Sequence, residues 1–413
     1  MNLRLLFCCA LLLYGPSSFA ATLNVCGNCP YSTLHAAIAS AHQHDVIRVH
    51  PGTYAEGMMV IDKPLTITGI DFPTIDGHHE KHVFYIRADD VTIERLQIQN
   101  SGQSDISEYA GIRVEESKRC RILNNRFHDN TYGIYLAKVD TCSVVANTVT
   151  GNTLSEVSGG NGLHLWYSTH LTVQDNLFER QRDGMYLEFS GDSLIEDNIS
   201  RHNIRYGLHF MYSQRNRFYR NTFIENQTGV AVMYSHDIEM AENRFEKSWG
   251  ATSYGLLLKD INDTRVVRNT FDGNTVAVVL DGANRNRFEH NIFSHNGWAM
   301  NVFGNSDGNV ISQNNFISNA FHVTTNTKSV QNIFAGNYWD DYRGYDLDHD
   351  GVGDVPFRPM KLFSLWIAEH PELVSLMGSP VIEFLETAER VFPVMTPKML
   401  EDHTPQMKRF ADL

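Results

Sequence analysis

One asparagine-centred phrase returns along this chain at a nearly constant interval, and it restricts the possible folds more than any other feature. It stands at Asn125-Arg126-Phe127, Asn147-Thr148-Val149, Asn176-Leu177-Phe178, Asn198-Ile199-Ser200, Asn221-Thr222-Phe223, Asn243-Arg244-Phe245, Asn269-Thr270-Phe271, Asn291-Ile292-Phe293 and Asn337-Tyr338-Trp339. Most successive asparagines are 22 or 23 residues apart. The wider intervals, from 147 to 176 and from 243 to 269, hold extra polar or small residues such as Ser158, Gly159 and Gly160. A fixed period of this size means stacked repeats, with insertions placed in loops.

Each repeat also carries a glycine followed by alternating residues, as in Gly133-Ile134-Tyr135-Leu136, Gly162-Leu163-His164-Leu165, Gly207-Leu208-His209-Phe210 and Gly255-Leu256-Leu257-Leu258. Alternation is the pattern of a strand. A second short strand precedes each asparagine, and nothing long enough for a crossover helix separates the two. The period therefore predicts an all-β fold, a right-handed single-stranded parallel β-helix, with strands stacked at about 4.7–4.9 Å. The asparagines form an internal ladder, because each amide can donate to the next and accept from the last. Open solenoid ends expose unpaired strand edges. At the front, an Ala-rich helix beginning after Ser32 and running to Ala41 caps the first coil. After Pro359 the pattern turns helical, so the expected organisation is a signal peptide over 1–20, the β-helix with its cap over 21–359, and a C-terminal helical tail over 360–413.

The 413 residues are 42% hydrophobic with a formal net charge of −14, and the mean hydropathy is −0.29. These values exclude a multi-span membrane protein, and the negative charge opposes nucleic-acid binding, which needs a basic footprint. Met1–Ala20 has Arg4, an apolar run from Leu5 to Leu13, and the small residues Ser18 and Ala20, the pattern of an export signal. Export makes thiol oxidation the default. Cys120 and Cys142 each lie five residues before a ladder asparagine, so they occupy equivalent places on neighbouring coils, either as a disulfide or as an inward thiol stack. Cys26-Gly27-Asn28-Cys29 is either a tight disulfide or a soft-metal pair.

Parity places function on the outer face. After each repeat glycine, the first and third residues are apolar and face inward: Met185 and Leu187, Leu208 and Phe210, Val230 and Val232. The second and fourth are then expected to face solvent. They form one column of His164, Tyr186, His209 and Ala231, and a second of Trp166, Glu188, Met211 and Met233. Imidazole with thioether suits copper, above all Cu(I), so His164, His209, Met211 and Met233 are candidate copper ligands, with Trp166, Tyr186 and Glu188 as a partner surface. Stacked aromatics without function, or a flanking loop from Leu154 to Asn161 covering them, would give the same pattern. A sugar-cleaving or epimerising site would instead need paired carboxylates beside a base. Glu188 is the one carboxylate in the two columns, with Asp183, Arg182 and Arg205 at the adjoining turn.

Two further stretches carry chemistry. In "YDLDHDGVGD", Asp346, Asp348, Asp350 and Asp354 with Gly351 match the start of a calcium loop, without the terminal glutamate of an EF-hand. In the tail, Ile382, Leu385 and Glu389 fall at helical spacing between Pro380 and Pro393, which fits a short amphipathic helix docking in a partner's groove. A chain cut after Pro380 is expected to keep its β-helix and lose that partner.

With "RDGMYLEFS", "RYGLHFMYS" and "NYWDDYRGYDLDHDGVGDVPFRP" followed by the tail, the mature chain resembles the NosD family, periplasmic maturation proteins of nitrous oxide reductase. That resemblance implies a β-helix without catalytic turnover, working in denitrification with an ABC transporter made of a membrane subunit and its ATPase. It also implies help in assembling the copper-sulfide centre of the reductase, with transient copper and a copper chaperone among the partners; the structural calcium closing the solenoid is read from the Asp346–Asp354 spacing alone. The competing reading is a polysaccharide-binding or -modifying β-helix enzyme of the lyase or epimerase kind.

Overall fold

The computed structural model describes residues 20–411 except 105, 154, 158, 328–330 and 393–398; the expected export signal lies outside them but for Ala20. The chain winds through three parallel sheets of 14, 12 and 13 strands, each strand pairing only with its equivalent one coil away. In one coil, Arg126–His128 lies in the 13-stranded sheet, Tyr132–Ala137 in the 12-stranded sheet and Ser143–Val145 in the 14-stranded sheet. Inward residues are buried throughout. Phe223, Phe245, Phe271, Phe293, Phe316 and Trp339 stack down the core with centroids 4.1–5.5 Å apart.

From Asn125 onward, the asparagine ladder holds one turn of each coil. The residue before each ladder asparagine has left-handed backbone, as at Asn124 (φ 51°), Ala146 (57°), Asp175 (54°), Asp197 (56°) and Arg220 (54°). Non-glycine residues adopt that region at a cost of about 1 kcal/mol, so something must hold them there. The amide does so: the Asn147 backbone N–H and Nδ2 both donate to Asn176 Oδ1 (2.9 and 3.0 Å), and Nδ2 also donates to the Ile122 carbonyl (2.9 Å). The same bonds recur from Asn125 to Asn337. An aspartate in mid-ladder would break the relay, since an ionised carboxylate only accepts.

At the end of the ladder an aspartate is therefore what fits. Asp402 Oδ2 accepts from the Asn337 N–H (3.0 Å), Asn337 Nδ2 (3.1 Å) and Trp339 Nε1 (3.1 Å), and Oδ1 accepts from the Gly336 N–H (3.0 Å). Asp402 is fully buried. The tail is thus more than helical: after α2 (Leu362–Glu369) and α3 (Pro380–Val391), residues 399–410 return to close the last coil, bridging Phe334 with Asp402 and Tyr338 with Gln406.

At the other end, α1 (Leu34–Ser40) covers the first coils with Leu34, Ala37 and Ile38. Its cap is Thr33, not Ser32: the Thr33 hydroxyl accepts the Ala36 N–H at 3.2 Å. Both cysteine pairs are disulfides, Cys26–Cys29 and Cys120–Cys142, with Cα separations of 5.0 and 4.6 Å. The second pair is also buried in the core, so inward packing and bonding coexist.

Replacing Asp402 with alanine removes the acceptor of three buried donors and of the Gly336 and Thr404 N–H groups, which should lower stability by about 3 kcal/mol. Amide exchange at Gly336 and Asn337 should accelerate before that of central coils; uniform protection along the solenoid would contradict this account of the cap.

Candidate functional site

The 12-stranded sheet has the longest strands, and its outer face carries the predicted columns. Register aligns Arg113, Tyr135, His164, Tyr186, His209 and Ala231 on successive rungs, and Ala137, Trp166, Glu188, Met211, Met233 and Lys259 beside them. The glycines that begin these strands permit close stacking: a Cβ on Gly207 would lie 2.6 Å from the Gly229 carbonyl, and one on Gly229 2.5 Å from that of Gly255.

Parity is right, but exposure is not. His164 and His209 point away from the core and are nonetheless buried, while Trp166, Tyr186, Glu188, Met211 and Met233 are half-buried. The rings shield one another: centroids are 4.4 Å apart for Tyr135–His164, 4.8 Å for His164–Tyr186 and 4.7 Å for Tyr186–His209. Tyr132 and Tyr206 flank the two imidazoles, and Arg113 lies over Tyr135. The second and fourth positions are therefore a covered layer, not a wet surface.

At the adjoining turn Asp183, wholly buried, takes a bidentate contact from Arg205 and a longer one from Arg182. Asn161 links the turn to the column, accepting from Arg182 at 3.0 Å and contacting His164 Nδ1 at 3.2 Å. Burial first, then Arg182, Arg113 and His209, holds His164 down to about 3. Burial first, then the arginines against Asp183, holds His209 down to about 4. Tyr186 is pushed up to about 12 by burial, Glu188 and Asp183. Both imidazoles are consequently neutral, the form that binds metal. His164 Nε2 and both ring nitrogens of His209 are buried without a hydrogen-bond partner.

Of the four proposed copper ligands, three are neighbours in the strand register and His164 is not. Met211 and Met233 are rung neighbours, and His209 lies two residues before Met211 on the same face. His164 is two rungs from His209 with Tyr186 between them, about 9.6 Å at the strand spacing, too far to share one ion. The Tyr186 hydroxyl donates to the Met211 sulfur at 3.4 Å. The donor set of neutral imidazole and two thioethers fits Cu(I).

Elsewhere, the carboxylates of Asp346, Asp348 and Asp350 lie within 4.8 Å of one another. Asp354 stands apart, accepting the Leu347 N–H at 2.7 Å. Asp350, the largest influence on Asp348, raises its carboxyl, the mark of crowded like charge. In α3 the face expected to dock is turned inward instead. Ile382 is buried against Phe321, Phe363 and Ile367, with Leu385 packed on the same cluster. Buried Glu389 accepts the Leu362 N–H at 2.7 Å. Val381 and Phe384, 72% and 76% exposed, form the free side.

Sequence reasoning misses two groups. Tyr167, Phe189, Tyr212 and Tyr234 form an exposed outer ring stack at 4.6–5.2 Å, directly after the Trp166-to-Met233 column; their four-fold recurrence at the repeat interval is the available signal. His322, Asp340 and Asp341 also come within ligand distance of one another; no spacing announces them.

Known proteins match this parallel β-helix in sequence and in fold. Residues 147–344 match the family described as "Periplasmic copper-binding protein (NosD)", and residues 56–178 match a right-handed β-helix region. A protein from Stutzerimonas stutzeri named "Probable ABC transporter binding protein NosD" is 27% identical over 382 residues, covering 87% of this chain and 86% of its own length. Its namesake from Pseudomonas aeruginosa is 29% identical over 376 residues, covering 86% and 87%. The chain thus carries a NosD domain over 147–344 and is similar to NosD proteins over most of its length. Solved β-helices share the fold alone. They include a Streptomyces thermodiastaticus α-1,3-glucanase catalytic unit (TM-score 0.65, 12% identity, 79% of this chain and 70% of that one). The Azotobacter vinelandii mannuronan C-5 epimerase AlgE4 A-module is another (0.59, 12%, 73% and 94%).

Because both imidazoles stay neutral when folded but protonate near 6.5 when unfolded, the unfolded chain binds the extra protons below that pH. Stability should therefore fall as pH drops from about 6.5 toward 4, by on the order of 2 kcal/mol per ring at pH 4.5. Urea midpoints of metal-free protein at pH 7 and 4.5 should show this, and a His164→Gln, His209→Gln variant should show a shallower fall; equal slopes would contradict the burial of the rings.

Proposed function

We infer that this protein is a periplasmic, non-catalytic accessory factor that works with an ABC transporter in assembling the copper-sulfide centre of nitrous oxide reductase. The observation that carries the reading is the buried, unpartnered His209 imidazole beside the rung-paired Met211 and Met233. Copper is cargo here. His209, Met211 and Met233 would hold Cu(I), with the Tyr186 hydroxyl yielding the Met211 sulfur as the ion enters. Trp166, Glu188 and the outer aromatic stack would meet the protein that delivers or receives it, a copper chaperone or the reductase.

The enzyme alternative is weakened by Asp183. Its carboxylate is buried between two arginines, so it is not free to act as a base, and Glu188 has no carboxylate partner in either column. Among the described residues no helix is long and apolar enough to cross a membrane. The relatives' name supports the ABC transporter as partner, and the side of α3 bearing Val381 and Phe384 is the proposed contact with its membrane subunit. At Asp346, Asp348 and Asp350 a calcium ion would relieve the crowded charge, closing the loop that follows the last strand.

Three experiments test these assignments. A His209→Gln, Met211→Leu, Met233→Leu variant should fold and melt normally but lose at least about tenfold in Cu(I) affinity against a competing chelator, and should leave the reductase under-loaded. Full copper retention sinks the reading. For the tail, truncation after Pro380 is a poor test because it also removes Asp402 and the ladder's end. Val381→Glu with Phe384→Glu keeps the cap and should abolish co-purification with the membrane subunit; wild-type recovery would move docking elsewhere. For the loop, calcium should raise the melting temperature of wild type and not of an Asp348→Ala, Asp350→Ala variant, and a melt indifferent to calcium in both removes the site.

A further inference from the structure

The position of His322 is unusual for this solenoid. Its equivalents on preceding coils are Gly111, Gly133, Gly162, Gly184, Gly207, Gly229 and Gly255, then Ala277 and Ala299. In mid-stack a Cβ at this place meets the carbonyl of the next rung, at 2.7 Å for Gly255. Phe321–Thr325 is the terminal strand of its sheet, so no next rung stands over it. The imidazole occupies that space, 3% exposed, beside Phe316, Trp339 and Phe357.

There it meets two carboxylates from the turn after the last strand. His322 Nε2 lies 2.9 Å from Asp341 Oδ1 and 3.5 Å from Asp340 Oδ1. Nδ1 is buried with no partner. Donors separated by those distances subtend about 90–110° at an ion bound at 2.0–2.2 Å, within reach of the tetrahedral geometry of zinc. One imidazole and two carboxylates are hard enough to disfavour Cu(I) and suit a borderline divalent ion.

We propose that His322, Asp340 and Asp341 form a zinc site that ties the last long strand to the turn leading into the tail. The site stands independently of the copper face, from which it differs in residues, donor chemistry and place. A bound ion would stiffen the end of the solenoid on which α2 rests through Phe363 and Phe321.

The test uses the full mature chain, stripped with a chelator and titrated with zinc alone against a chromophoric competitor. One zinc per chain and a raised melting temperature are expected. Asp341→Asn and His322→Gln should each lower the affinity at least about tenfold, while His209→Gln and the Asp348→Ala, Asp350→Ala variant keep it. Should His322→Gln fail to fold, the more exposed Asp340→Asn gives the same comparison. Zinc uptake that is absent in wild type, or unchanged in Asp341→Asn, overturns the proposal and leaves the trio an ion pair only. Uptake lost in the loop variant instead assigns the ion to the acidic loop and overturns the proposal equally.

Discussion

A side-chain amide can accept and donate along one line, and this solenoid depends on that property. Each coil must turn through a left-handed residue that costs energy, and the following asparagine satisfies the backbone N–H beneath it and the amide above it. A residue that only accepts would end the relay, as Asp402 does. Register follows from this: once the asparagines are aligned, every strand residue has a fixed neighbour on the next coil. His209, Met211 and Met233 accordingly hold set positions relative to Asn198, Asn221 and Asn243.

The same regularity explains what is legible in the sequence. Period and alternation suffice for the β-helix, for the direction in which Met211 or Tyr186 points, and for the pairing of Cys120 with Cys142 on adjacent coils. Exposure is another matter. Alternation says which side a residue faces and nothing about what lies over that side, so it places His164 and His209 at the surface, whereas Tyr132, Tyr206 and the rings of the neighbouring rungs cover them. Helical spacing has the same blindness. It groups Ile382, Leu385 and Glu389 correctly as one face of α3, but whether that face meets the solenoid or a partner depends on Phe321 and Phe363, far away in the chain.

Departures from the repeat are the least legible and chemically the richest. Asp402 sits outside any repeat and completes the longest ladder in the molecule. His322 is a repeat position that holds glycine or alanine on the preceding coils, and the imidazole has room because the stack stops there. Both follow one rule: a solenoid's final coil lacks the neighbour that constrains every other coil, so residue types excluded from the interior become available at the end.

That rule also separates two tasks that the tail performs. Closing the solenoid is polar work, done by Asp402 against the donors of Gly336, Asn337 and Trp339. The helices between the last strand and that closure are free of it, apart from resting on the terminal strand through Phe363, Ile367 and Ile382. Among the described residues of these helices, Val381 and Phe384 on α3 and Trp366 on α2 remain exposed. An exposed Phe held on a helix anchored at both ends, by the Phe321 cluster and by the ladder's cap beyond it, loses little conformational freedom when a partner covers it. The closure thus fixes the end of the solenoid on which α3 rests without involving the exposed side that Val381 and Phe384 form.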